Sequence, residues 1–303
     1  MPQPIPDAFS TMILDREGER AREWVETLPA TVDGLFQKWG LAPDGPPLYG
    51  MCSVVLPVRT ADGGRGALKV GRIDDETRAE PLALGAWSGR GAVEVLRLDE
   101  ATGAMLLERL DERRVLLDVP IDRALDIAAE LLRGLRVPAV PGLRRASATA
   151  ARWVGEFPDD WHRLGGPCPR SLITRAVELC AELAEPPAEP SILHGDLHYA
   201  NILGRGADGW AVIDPKPLAG DPAYEVVPLL RNRWSEIRDG GPGGAAVERR
   251  MRRFAERAAI DPATAYEWCL VRSVDDAMWF QENGYADRAA ISWDIAGTMA
   301  ARL

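Results

Sequence analysis

Lysine is nearly absent from this chain. Of its 36 basic residues only Lys38, Lys69 and Lys216 are lysine, and the rest are arginine. Arginine serves wherever a generic positive charge will do, so a lysine retained inside an apolar stretch marks a place where ammonium and guanidinium are not interchangeable. Cysteine is sparse too. Cys52, Cys168, Cys180 and Cys269 show no CxxC spacing, which argues against a disulfide framework or zinc site and leaves reduced, mostly buried thiols as the expectation. No apolar run approaches the length of a membrane span; SVVLPV is typical of the longest. The first residues, MPQPIPDAFSTM, lack the basic and apolar regions of a signal peptide, so the expected location is cytoplasmic, with no membrane partner. A net charge of −10 argues against nucleic acid, whose binding needs clustered basic surface. It suits a cationic small molecule.

What is present is ordinary for a globular chain: 303 residues, 46% hydrophobic and 27% charged, enough for one large domain or two lobes. Residues 15–40 read as two helices split at Pro29, with Gly40 as the C-terminal cap. From 48 to 71 the period changes to that of strands, YGMCSVVLPVRT and GALKVGR, separated by the turn-forming ADGGRG. DDETRAEPLALGAWSG follows as a helix opened by Asp, closed by Gly and kinked at Pro81. AVEVLRLD and AMLLERL are two further strands turning at EATG. Beyond about residue 120 helices dominate, interrupted once by 191–214. DGGPGG at 239–244 reads as a surface loop. The pattern gives an α+β chain: residues 1–108 as a sheet lobe with a helical extension, and 109–303 as a larger, mainly helical lobe.

The interruption carries the chemistry. SILHGDLHYANIL, 191–203, sets Asp196, His198 and Asn201 in an apolar frame, and GWAVID then ends on Asp214. Asp196 and Asn201 match the D-x-x-x-x-N catalytic-loop spacing of protein kinases, and Asp214 stands where such enzymes keep a metal-binding carboxylate. Mg²⁺ prefers hard oxygen ligands, which Asn201 and Asp214 would supply. Asp196 would accept a hydrogen bond from an acceptor hydroxyl and orient it toward the terminal phosphate of ATP. A phosphate anchor is then expected upstream on a strand. Lys69 in GALKVGR fits, with Glu80 in the next helix as its ion-pair partner.

These motifs, ALKV, MLLERLD, HGDLHYANIL and AVIDPKPLAGDPAYE, resemble those of the aminoglycoside phosphotransferase family, in its streptomycin 6-phosphotransferase and hydroxyurea phosphotransferase branch. The resemblance runs from about residue 20 to the last helices. It implies a two-lobed protein-kinase-like fold, a small antiparallel sheet lobe plus a larger helical lobe. The implied cofactors are ATP and Mg²⁺, and the implied activity is phosphorylation of a hydroxyl on a small-molecule antibiotic. By the same resemblance LLERL is the hinge, with the backbone of Glu108 and Leu110 meeting adenine, and YGMCS covers the phosphates. There is no GxGxxG here, and Ser53 with neighbouring amides takes that place. The acceptor site falls among the C-terminal helices, where Asp275 and Asp276 would meet a cationic sugar.

Several residues have plainer readings. His194 is expected to hold the loop by packing or hydrogen bonding, Asp221 to cap the next helix, and Lys216 either to approach phosphate or to lie at the surface. His198 is open between a loop-holding and a substrate-side role. Hydroxyurea or another metabolite as acceptor is the alternative within the same chemistry. A metal hydrolase using His194, Asp196 and His198 is the rival from another class. It is poorly supplied with ligands, because only His162 remains, and it has no use for Lys69.

Overall fold

The structure is a computed structural model describing residues 5–238 and 245–303. The 239–244 stretch read as a surface loop lies outside the described residues. The chain divides into two compact units, Met1–Asp111 and Glu112–Leu303.

The first unit begins with helices α1 (Asp7–Glu17) and α2 (Glu19–Trp39). The expected split at Pro29 is not there. The chain breaks at Gly18, whose φ of 62° and ψ of −145° suit glycine, and Pro29 lies inside α2. Leu28, Val32, Leu35, Phe36 and Trp39 are buried against the sheet residues Val54, Leu56, Leu68 and Leu106. Burial of that face outweighs the one helical hydrogen bond a proline forfeits. Gly40 closes α2 as expected, in the left-handed conformation, and the Leu41 N–H reaches back to the Phe36 carbonyl at 2.9 Å.

Strands β1 (Ala42–Pro43), β2 (Leu48–Tyr49), β3 (Ser53–Arg59) and β4 (Arg65–Gly71) precede helix α3 (Glu80–Trp87), which is followed by β5 (Val95–Leu98) and β6 (Met105–Glu108). The strands form one antiparallel sheet in the order β1-β3-β4-β6-β5, with β2 also on β3. Helix α3 is shorter than its sequence suggested. The Asp74 carboxylate accepts the N–H groups of Glu76 and Thr77, both at 2.8 Å, and holds the preceding residues as turns. Pro81 therefore falls in the first turn, where its missing N–H costs nothing and no kink arises. Ser88, not Gly89, takes the left-handed cap.

The second unit starts on β7 (Asp111–Val115) and continues through α4 (Ile121–Gly134), β8 (Arg144–Arg145), α5 (Ala146–Arg163), α6 (Arg170–Leu183) and β9 (Ser191–Leu193). The hairpin β10 (Ile202–Arg205) and β11 (Gly209–Val212) follows, then β12 (Leu218–Gly220). It closes with α7 (Val226–Asn232), α8 (Trp234–Arg238), α9 (Ala245–Ala258), α10 (Pro262–Glu282) and α11 (Ala286–Ala300). Two small sheets are set among these helices: β11-β10-β7, and β8-β12-β9. The architecture is α+β, a sheet-rich first unit and a helix-rich second one. Among the described residues no helix is long and apolar enough to cross a membrane. The cysteines are free thiols, but only Cys180 and Cys269 are buried; Cys52 and Cys168 are half-buried.

Candidate active site

In the first unit Lys69 sits mid-strand on β4, between the fully buried Leu68 and Val70. Those neighbours face the α2 side, and alternation along the strand turns Lys69 to the other face. There its Nζ lies 2.5 Å from Oε1 of Glu80, the first residue of α3, with side-chain exposures of 8% and 5%. A charge pair this far from water is expensive unless each partner answers the other, and the helix N-terminus adds a favourable field for the carboxylate.

The other nucleotide-side expectations fall in the same unit. Gly50–Ser53 is a tight turn between β2 and β3, closed by the Gly50 N–H on the Ser53 carbonyl at 3.0 Å. Ser53 is buried. The turn is braced from α1: Arg16 donates to the Met51 carbonyl and lies 3.7 Å from the Cys52 Sγ. The Glu108 carboxylate accepts the Glu94 N–H at 2.7 Å, tying β6 to the segment before β5, and Leu110 is buried.

In the second unit β9 delivers the chain to His194, Gly195 and Asp196. His194 is buried, with Nε2 donating to the Ile213 carbonyl at 2.9 Å and Nδ1 receiving the Asp196 N–H at 3.3 Å. Burial pushes the imidazole down to about 4, so it stays neutral. Gly195 has φ +82°, and a Cβ there would lie 2.1 Å from the Lys216 carbonyl oxygen. The Lys216 N–H in turn donates to the His194 carbonyl at 2.7 Å.

Asp196 and Asn201 are brought together. Asn201 is buried in the single turn Tyr199–Asn201, and its Nδ2 donates to the Asp196 carbonyl at 3.0 Å. Its own carbonyl accepts the Ile213 N–H at 2.9 Å, at the base of the β10–β11 hairpin. Asp214 comes next, with φ 59°, a left-handed conformation that Asp tolerates better than most residues. The Lys216 Nζ lies 3.4 Å from Asp196 Oδ2. Burial opposes ionisation of Asp196, but Lys216, with His198 and His194, outweighs it and holds the carboxyl below its ordinary range. The carboxylate is therefore charged at neutral pH.

Asp275 and Asp276 lie on α10. Asp276 is paired with Arg231 of α7. Burial, with Asp276 alongside, pushes Asp275 up to about 7 against the opposing pull of Arg272. The sequence reading missed Arg231 and, more importantly, Glu225, whose Oε1 accepts the Gly195 N–H at 2.9 Å. That partner lies 30 residues upstream, and no local pattern joins the two. The hydrolase alternative would need His194 as a ligand, and both of its ring nitrogens are already engaged.

Residues 38–284 match the family of aminoglycoside/hydroxyurea antibiotic resistance kinases. The chain belongs to that family. It is 37% identical over 298 residues to a streptomycin 6-kinase of Streptomyces griseus, covering 98% of this chain and 97% of that one. It is 38% identical over 285 residues to a hydroxyurea phosphotransferase of Kitasatospora aureofaciens, covering 92% and 81%. In fold it is similar to a choline/ethanolamine kinase family protein from Mesorhizobium loti, with a TM-score of 0.59 at 18% identity over 89% of this chain and 97% of that one. As an aminoglycoside/hydroxyurea antibiotic resistance kinase, the chain is a small-molecule phosphotransferase that draws on a nucleotide donor. The family read from four motifs is thus the family found.

Proposed function

We propose that this kinase transfers the terminal phosphoryl group of ATP, with Mg²⁺, to a hydroxyl of a streptomycin-type aminoglycoside, inactivating it in the cytoplasm. The observation that carries the chemistry is the charged Asp196 whose backbone is tied to Asn201. Asp196 accepts a hydrogen bond from the acceptor hydroxyl and aims its oxygen in line with the phosphorus. Phosphoryl transfer runs through a loose transition state, so aim matters more than basicity. A carboxyl held below its ordinary range suits that task. Lys216 keeps it charged.

In the first unit Lys69, fixed by Glu80, is assigned to the nucleotide phosphates, with Ser53 and the adjacent amides covering them and the backbone of Glu108 and Leu110 meeting adenine. In the second unit Asn201 and Asp214 would hold the metal. The donor set fits: Asn201 uses its Nδ2 on the Asp196 carbonyl, which leaves the amide oxygen as its ligand atom, and Asp214 offers a carboxylate, both hard donors. Bound there, Mg²⁺ would neutralise charge on the phosphates. On the acceptor side Asp275 and Asp276 are assigned to a cationic sugar, with Asp276 presented alongside Arg231.

The near-full-length likeness to streptomycin 6-kinase favours the aminoglycoside; the comparable likeness to a hydroxyurea phosphotransferase supports hydroxyurea as the second reading. A panel of ATP-consumption assays with streptomycin, other aminoglycosides and hydroxyurea separates them. Streptomycin-dependent ADP release is expected. Turnover with hydroxyurea alone would replace the first reading by the second.

A further inference from the structure

Glu225 closes the short turn Pro222–Glu225 just before α7 and is completely buried. Its Oε1 accepts the Gly195 N–H at 2.9 Å, and the neighbouring His194 N–H also favours its ionised form. Taking a carboxyl wholly out of water is costly unless its bonds are needed, so a side chain needed only to fill this space would be better apolar. Arg272 of α10 faces the same region, donating to the Tyr224 carbonyl at 2.7 Å with its guanidinium 3.9 Å from the centre of the Tyr224 ring.

Several links on the 194–196 turn come from the loop and hairpin themselves. Ile213 holds the His194 ring, Lys216 the His194 carbonyl and Asn201 the Asp196 carbonyl. The Gly195 N–H is bound from outside them, by Glu225 at the threshold of the helical segment. This peptide immediately precedes Asp196, so its tilt sets where the Asp196 side chain points.

We infer that Glu225 is a positioning residue: through the Gly195 N–H it fixes the backbone that presents Asp196 to the acceptor hydroxyl. The inference rests on the assignment of Asp196 above. A misplacement of ~1 Å at a reacting group costs about a hundredfold in rate, and one methylene less in the tether is a displacement of that order.

Three substitutions test it. Glu225→Gln keeps an acceptor oxygen at the same reach, Glu225→Asp shortens the reach, and Glu225→Leu removes the acceptor. The readouts are kcat, KM for both substrates, affinity for a non-hydrolysable ATP analogue, and melting temperature. Glu225→Gln is expected to retain most of the turnover. Glu225→Asp and Glu225→Leu are expected to lose about a hundredfold in kcat, with KM and analogue affinity unchanged. The Asp variant keeps the test open even if the Leu variant does not fold. Wild-type kcat in folded Glu225→Asp, or equal losses in the Gln and Asp variants, would overturn the inference. Asp196→Asn is assayed beside them. If it keeps turnover, the Asp196 assignment fails; if it is inactive while Glu225→Asp is normal, only the role of Glu225 fails.

Discussion

Lys69 and Glu80 answer each other almost wholly out of water, and removing one takes away the opposite charge that the other faces at 2.5 Å. Glu80→Ala is expected to cost about 3–5 kcal/mol of stability, read from urea unfolding. Replacing both partners with apolar residues, Lys69→Met with Glu80→Leu, should recover most of that stability and leave the enzyme inactive. Two buried groups give opposite pH dependences. Burial pushes Glu225 up to about 7 from an ordinary 4.5. Between those values the folded chain holds the extra proton, so this group's contribution is present at low pH and is lost as pH rises through about 7, about 3 kcal/mol in all. His194, pushed down by burial to about 4 from 6.5, acts the other way, because the unfolded chain holds the extra proton and stability falls as pH drops through that window. Glu225→Gln should therefore gain on the wild type in melting temperature as pH rises from about 4.5 to about 7; a gap that does not change over that range would contradict this. At this scale the sequence was informative where a residue type was rare or its spacing local. Lys69 stood out among three lysines, and Asp196 with Asn201 by a five-residue interval. Glu225 and the Arg231–Asp276 pair were hidden, because their partners meet only after folding.

Among the elements, Gly40 was read correctly as a helix end, whereas the proline readings were not met. Pro29 was expected to end a helix and instead lies inside α2, because the buried stripe from Leu28 to Trp39 holds the chain helical around it. Pro29→Ala should restore a backbone donor and stabilise the protein by about 2–3 kcal/mol, seen as a higher melting temperature with unchanged kcat. Pro81 was expected to kink α3, and it opens that helix, because Asp74 captures the preceding amides first. The strands were easier to read. The turns at ADGGRG and EATG mark the hairpins β3–β4 and β5–β6, whereas the β4–β6 pairing that joins them spans α3 and β5 and has no local signal. The two-residue strands β1, β2 and β8 carry too little pattern to be read from sequence at all.

For the whole molecule, periodicity pointed to a sheet lobe over 1–108 and a helical lobe over 109–303; the structure's two compact units are Met1–Asp111 and Glu112–Leu303. The net charge of −10 bears on the acceptor. A cationic aminoglycoside drawn in by that field should show kcat/KM falling as ionic strength rises, whereas neutral hydroxyurea should not respond; stopped assays across a salt series would read the difference. The most direct measurement compares Asp196→Asn with the wild type in phosphorylation of whichever acceptor the assay panel identifies, and in affinity for an ATP analogue. The expected result is a loss of about a thousandfold in turnover with nucleotide affinity unchanged. Near-normal turnover in that variant would contradict the assignment of the site.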